Sequence, residues 1–179
     1  MRKLIIAFSA GLLLITNLLH AQQKLGHVNS DAIFTNYSEV KTAATAAENF
    51  GKTKQAEIDK MVNEFQAKLK TAQDKQKTLT AANKDKLTKE LGNTETELKD
   101  LGGKIEALRT KSSKDVSDKQ NELFAPIQKK VADAIAAVAK EKGLVYVFDT
   151  SKSQGNNSIG YYNPSDDITA AVKAKLGIK

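Results

Sequence analysis

The chain has 179 residues, a formal net charge of +7, two prolines, two histidines and no cysteine. The lack of cysteine excludes disulfide frameworks, thiol catalysis and cysteine-based zinc sites. Aromatic residues make up only 6% of the chain, and a chain so poor in large side chains has little material for a dense globular core.

The first 21 residues follow the three-part pattern of a secretory signal peptide. A basic start, Arg2-Lys3, precedes an apolar run over Leu4–Leu19, and the small residue Ala21 marks the expected cleavage point. A membrane anchor is the alternative, but it requires about 20 apolar residues, and this run is shorter and interrupted by polar residues. We therefore expect an exported protein whose mature chain begins after Ala21.

Three short segments have the composition of β-strands. Lys24–Asn29 lies near the new N-terminus, and Gly143–Asp149 is apolar, β-branched or aromatic at nearly every position. Ser158–Tyr162 follows a turn-rich stretch and is the third candidate. A last helix is expected over Asp167–Leu176, capped by Ser165 or Asp166.

The long segment between the first two strands predicts an antiparallel helical hairpin. It contains one proline and is rich in helix-forming residues. Two series of apolar residues step through it by threes and fours, as in a coiled coil, but in different phases. The first series is Ile58, Val62, Phe65, Leu69, Ala72 and Leu79, and the second is Leu87, Leu91, Thr94, Leu98, Leu101, Ile105 and Leu108. The break over Thr80–Asp85 predicts a reversal of the chain, and an outgoing helix from about Ser38 would be about 60 Å long.

The predicted hairpin is too polar to be an ordinary helical bundle. Leu, Ile, Val and Phe are 12 of the 68 residues in Lys52–Lys119, together with 16 basic and 12 acidic residues. Two such helices can bury only one narrow seam between them, and Gly92, Gly102 and Gly103 indicate an arm that bends. A helix of that length must project from a small domain. The remaining body is too small to stand alone, so oligomerisation is expected.

Motifs of catalysis or nucleotide binding are weak. Gly51-Lys52-Thr53 has the ending of a phosphate-binding loop, but Ala46 stands where that motif needs glycine. His27 has no second ligand nearby, and Asp166-Asp167 is typical of a helix start. Lysines interleaved with acids all round the hairpin indicate a solvated surface rather than a nucleic-acid patch, although weak attraction to acidic clients or anionic lipid remains an expectation.

Three segments carry a resemblance to a known family. Lys24–Lys41 has a short strand ending in Val-Asn and then an Ile-Phe helix, with Ser38 where many members have proline. Pro126–Asp149 corresponds to a return helix and second strand, and Tyr161–Thr169 contains an Asp-Ile-Thr helix start. On these residues the chain resembles the Skp/OmpH family of periplasmic chaperones over essentially all of 24–176.

The resemblance implies an α+β, mostly α architecture and a homotrimer. Strands from three chains would form a small β-barrel body, and the long helical hairpins would hang from it as tentacles. In these terms 1–21 is the signal peptide, 22–40 with 124–179 the discontinuous body, and 41–123 the hairpin with its tip near 80–86. Some family members are proposed to bind lipopolysaccharide, but the hairpin positions here do not align clearly enough to carry those residues over.

The function implied is that of an ATP-independent periplasmic holdase, which binds unfolded outer-membrane β-barrel proteins in a cavity between the arms. Such a protein is not an enzyme and has no catalytic, cofactor-binding or metal-binding residues and no nucleic-acid partner. The alternative is a structural or adaptor coiled-coil protein of the cell envelope without chaperone activity. Client contact is predicted for Met61, Phe65, Leu69, Leu98, Leu101 and Ile105. The trimer interface is predicted to include Val28, Val145, Val147 and Ile159.

Overall fold

The computed structural model describes residues 23–152 and 159–178, so the predicted signal peptide lies outside the described residues. The elements in chain order are strand β1 (Leu25–Val28), helix α1 (Ser30–Asn36), helix α2 (Ser38–Lys77), helix α3 (Lys84–Lys142), strand β2 (Tyr146–Asp149), a 3₁₀ turn (Pro164–Asp166) and helix α4 (Thr169–Lys175). The described part of the chain is therefore mostly helical, as predicted, and it has a small sheet of two of the three expected strands. Two compact units divide it, one containing Ser38–Gln128 and the other the residues on either side.

The unit Ser38–Gln128 is a helical hairpin. Helix α2 has 40 residues, which at 1.5 Å per residue is about 60 Å. Each helix carries acidic residues in its first turn and lysines in its last, which complements the helix dipole. Helix α3 continues through its glycines and through Pro126. No helix within 23–152 or 159–178 has the length and hydropathy needed to cross a membrane.

The reversal between α2 and α3 depends largely on one asparagine. The Asn83 side-chain oxygen accepts a hydrogen bond from the Thr80 N–H at 2.7 Å, and its amide nitrogen donates to the Thr78 carbonyl at 2.9 Å. The Asn83 carbonyl also accepts the N–H of Leu87 in the first turn of α3. Both hydrogen-bonding ends of the Asn83 side chain are thus used, which fixes the turn where the mismatch of the two apolar phases predicted it.

The other unit is built on a parallel pair of strands. Leu25 of β1 lies opposite Tyr146 of β2, and Val28 lies opposite Asp149. Helix α3 ends just before β2 because Gly143 has φ +66° and the Leu144 N–H bonds the Ala139 carbonyl. A left-handed residue at this position is the usual way a helix ends.

The core of this unit consists of apolar side chains from β1, α1, the C-terminal part of α3 and the segment that begins and forms α4. Those with the least exposed surface are Val28, Ile33, Val131, Val138, Ile168 and Val172. Gly26 on β1 is needed for close packing, since a Cβ at that position would lie 2.6 Å from Leu144 Cδ1 and 3.4 Å from the Asp166 carbonyl oxygen.

Two predictions for the C-terminal segment are corrected. Ser158 lies outside the described residues, and residues 159–162 are not a strand. The free side of β1 is occupied instead by Asp167 and Ile168, because the Ile168 N–H donates to the His27 carbonyl at 2.9 Å. The last helix is shorter than predicted and begins at Thr169, where the Asp167 carboxylate accepts the Thr169 N–H at 2.7 Å.

A single carboxylate joins the end of β2 to the start of α1. Asp149 Oδ1 accepts the N–H of Ser30 at 3.2 Å and the N–H of Ser151 at 2.9 Å. Burial alone raises the pKa of the Asp149 carboxyl, but the hydrogen bonds from Ser30 and Ser151 outweigh it and hold the pKa below its ordinary value. The ionised form of Asp149 therefore stabilises this unit.

We predict that Asp149→Ala lowers the free energy of unfolding by roughly 1–2 kcal/mol at neutral pH, because two backbone donors lose a charged acceptor. Since the pKa of Asp149 is lowered by folding, its contribution is complete above the unfolded pKa of about 4 and is lost as the pH falls through the folded value. Urea denaturation at pH 7 and at acid pH measures the difference. Asp133→Ala, which removes an exposed pair with Lys129, is the control and should change little. Equal effects of both substitutions would contradict the assignment.

Candidate functional site

The hairpin is held by a narrow apolar seam between α2 and α3. Of the residues in the two predicted apolar series, the most fully buried are Ile58, Leu87, Leu101 and Ile105. Both series therefore face inward. Gly102 belongs to this seam, since a Cβ at that position would lie 3.9 Å from the Phe65 ring, an ordinary contact distance. The seam explains how so polar a sequence forms a hairpin at all.

Ion pairs across the hairpin run beside this seam. Lys68 Nζ lies 2.7 Å from Glu97 Oε2, and Lys75 Nζ lies 3.0 Å from Glu90 Oε2. The hydrogen bonds from these lysines lower the pKa of each glutamate below its ordinary value. All four side chains are substantially exposed, so each pair contributes little to stability.

The six predicted client-contact residues fall into two groups. Leu69 is exposed, and Met61, Phe65 and Leu98 are half-buried, so these four offer surface to a partner. Leu101 and Ile105 are buried in the seam and offer almost none while the helices stay paired. Sequence reasoning missed Leu79, which it assigned to the seam but which is exposed in the turn between the helices.

The two-stranded sheet has one face rich in exposed apolar side chains. Leu25, Tyr146 and Phe148 are each about half exposed, and the Tyr146 and Phe148 rings are stacked with centroids 6.5 Å apart. Parallel pairing places residues opposite one another on the same face, so Leu25 and His27 share the face of the two aromatic rings. An apolar patch of this kind is typical of an interaction surface.

A groove of about 330 Å³ extends from this face toward the tail. Leu25, Phe148, Ile159, Tyr161 and Tyr162 form most of its wall, with His27 among its other residues. Within the groove the His27 Nε2 lies 3.0 Å from the Asn163 carbonyl oxygen, and its ring lies 4.3 Å from that of Tyr162. His27 therefore anchors the tail to β1 by packing.

The four residues predicted for the trimer interface lie in different environments. Val145 is exposed, and Val147 and Ile159 are half-buried. Val28 is only 2% exposed, so within its own chain it has almost no surface left for a second one. Val28 and Val147 alternate with the aromatic face and point to the opposite side of the sheet. The alternation of residues along Gly143–Asp149 indicated that Tyr146 and Phe148 share one face of the strand. Because the run is apolar on both faces, it does not reveal which face is covered.

Chemical sites are weakly represented in the described residues. Among 23–152 and 159–178, no group of three or more His, Asp or Glu side chains is placed to hold a metal ion. Gly51-Lys52-Thr53 lies inside α2, where Lys52 pairs with Glu48 at 2.6 Å. A phosphate-binding loop requires a strand before the glycine and a helix start after it.

Comparison with known proteins places the chain in a family. The family described as outer membrane protein (OmpH-like) matches residues 24–176. Relatives named chaperone protein Skp include one from Yersinia enterocolitica, 28% identical over 96% of this chain and 97% of the relative. Another, from Pectobacterium atrosepticum, is 26% identical over 96% of this chain and 97% of the relative. The chain is a member of the OmpH-like family.

A solved structure has the same fold. It is a Caulobacter crescentus protein described as an OmpH-like outer membrane chaperone, which aligns with a TM-score of 0.69 at 15% identity. The alignment covers 87% of this chain and 85% of that one. The architecture of a small sheet with long helices is therefore shared, whereas identity this low carries no residue roles.

We predict that Gly102→Ala stabilises the hairpin by about 1 kcal/mol, because alanine favours helix and its Cβ meets the Phe65 ring at contact distance. Amide exchange in the flanking turns of α3 should slow correspondingly. Gly103→Ala, where a Cβ meets nothing within 4 Å, is the matched control and should gain helix propensity without the Phe65 contact. Faster exchange in Gly102→Ala than in the parent would contradict the packing described for this seam.

Proposed function

We propose that this protein is an ATP-independent holdase chaperone of the periplasm, which binds unfolded outer-membrane β-barrel proteins and prevents their aggregation. The observation that carries the proposal is membership of the OmpH-like family over 24–176, with relatives named chaperone protein Skp aligned along nearly their whole length. The apolar run preceding Ala21 supports export.

The hairpin has the surface that this activity needs. An unfolded β-barrel protein exposes apolar segments that aggregate on encounter, and a holdase must cover them without imposing a structure. Met61, Phe65, Leu69, Leu79 and Leu98 offer partial apolar surface along a helix pair that is otherwise charged. Several weak contacts of this kind hold a client loosely, and release follows when the client folds, by mass action. The excess of basic residues in 52–119 adds weak attraction for acidic segments.

We further propose a homotrimer assembled on the sheet, with the client enclosed between hairpins of the three copies. A two-stranded sheet is marginal in water by itself, and its face formed by Leu25, Tyr146 and Phe148 is left exposed in the single chain. A second copy covering that face would bury the rings and continue the strand pairing beyond β2. Ile159 extends this surface along the groove, Val145 is exposed just before β2, and Val28 supports the sheet from within its own chain.

We predict that Phe148→Asp dissociates the trimer. Phe148 is 46% exposed in the single chain, so each subunit should still fold, whereas a carboxylate enclosed between subunits without a partner is strongly destabilising. Sedimentation equilibrium at micromolar concentration measures the association, and circular dichroism verifies the helices. Leu79→Asp is the matched control, because Leu79 is 45% exposed but lies in the turn of the hairpin. A parent that sediments as a monomer would refute the assembly.

We predict that a variant lacking Asn63 to Leu108, with the helices rejoined by a short turn, keeps the assembly but no longer protects clients. The assay follows the light scattering of a denatured outer-membrane β-barrel protein diluted into buffer, with and without ATP. The intact protein should suppress scattering equally in both conditions. If the shortened protein protects as well as the intact one, binding lies on the body and not on the hairpin. If the intact protein gives no protection, the structural coiled-coil alternative is favoured.

A further inference from the structure

The seam of the hairpin changes phase at one level on both helices. Along α3 the buried series reaches Leu108 by steps of three and four, and the next inward-facing apolar residue is Val116, eight residues later. On α2 the series runs back from Ile58, and the next buried apolar residue is Ala47. A heptad seam alternates steps of three and four residues. Where two steps of four follow one another, the seam moves to a different side of the helix.

Polar side chains occupy the seam where the phase changes. Ser112 lies midway between Leu108 and Val116 and is only 4% exposed, and its hydroxyl has no hydrogen-bond partner. One turn further along α3, Asp115 Oδ2 lies 3.8 Å from Nζ of Lys54 on α2. Ser112 is the one buried polar residue of Ser38–Gln128, all of which the structure describes. We call Lys54, Ser112 and Asp115 the polar layer.

The Lys54–Asp115 contact is more enclosed than the two ion pairs nearer the turn of the hairpin. Its side chains are 20% and 27% exposed, against 39% and 60% for Lys68 and Glu97. The Lys54 ammonium also lies 3.2 Å from Glu57 and 5.5 Å from the centre of the Phe50 ring. Lys111 Nζ bonds Asp115 Oδ2 at 2.7 Å. These neighbours keep both charges satisfied in the observed pairing of the helices.

We propose that the polar layer is a register lock, which favours the observed alignment of α2 and α3 because a displaced alignment would place a charge of the layer against an apolar side chain of the opposite helix. A heptad seam tolerates displacement by seven residues, because apolar residues again meet apolar residues. The displacement that brings Leu108 opposite Lys54 also brings Glu90 opposite Lys68, so the neighbouring ion pair is replaced rather than lost. The same displacement leaves the Lys54 ammonium against Leu108 and the Asp115 carboxylate against Ala47. A polar residue in a coiled-coil seam is known to specify register in this way.

The register sets where the turn and its exposed Leu79 lie along the hairpin, so the lock defines the surface offered to a partner. This inference concerns the hairpin alone and does not depend on the proposed function.

The test compares helix alignment in the parent and in the triple variant Lys54→Leu, Ser112→Leu, Asp115→Leu. Spin labels are attached through Gln73→Cys and Asn93→Cys, two exposed positions on opposite helices of a chain without cysteine. Labelled protein is diluted into excess unlabelled protein, so that only distances within one chain contribute to double electron–electron resonance. The parent should give one distance. The variant should give a second, longer distance, because displacement by seven residues moves one label about 10 Å along the helix relative to the other.

The matched control is Lys68→Leu with Glu97→Leu, which replaces a more exposed pair across the same hairpin and should keep one distance. Lys54→Met, which removes the ammonium but keeps Ser112 and Asp115, should give a smaller second population. This variant decides the test if the triple variant loses its helical circular dichroism. A single unshifted distance in Lys54→Met and in a folded triple variant overturns the lock. Equal broadening in the control also overturns it, since any loss of charge would then suffice.

Discussion

The architecture depends on a seam one side chain wide between two long helices. Few large apolar residues are available in 52–119, and those present lie in two series that meet only when the chain reverses. Burial of Ile58, Leu87, Leu101 and Ile105 is the main favourable term, since the ion pairs beside it are exposed and weak. Because so little is buried, the outer faces of α2 and α3 remain polar, and a small number of half-exposed apolar side chains is left over.

The same scarcity governs the unit containing the sheet. One face of the two four-residue strands carries Val28, which is almost fully buried, and the other face carries aromatic rings that the described residues leave about half exposed. Hydrogen bonds link its segments, with Asp149 accepting donors from two segments and Thr169 accepting the Asn29 N–H at 2.9 Å. Because these hydrogen bonds tie the segments together around an exposed apolar face, association through that face is favoured over rearrangement of the unit.

Several features could be predicted from the sequence. The phase mismatch between Leu79 and Leu87 located the reversal because helical periodicity is a local property. Gly143 and the β-branched residues after it located the second strand for the same reason. The proposed site was harder to predict. Leu101 and Ile105 look like surface candidates in a list of apolar residues, but pairing with the opposite helix buries them. Residues 159–162 have strand composition, but Asp167 and Ile168 occupy the edge they would need.

The sequence by itself therefore determined which segments are helical, where the chain turns and how small the apolar core is. These properties follow from helix propensity, periodicity and composition. The tertiary structure decided which face of each segment is covered. It placed Val28 inside and Phe148 outside on the same small sheet, and it brought Lys54 to Asp115 across 61 residues of sequence. Such pairings depend on which surfaces meet in space. A strand that is apolar on both faces does not show which face is covered, and a polar residue within a seam does not show which residue lies opposite it.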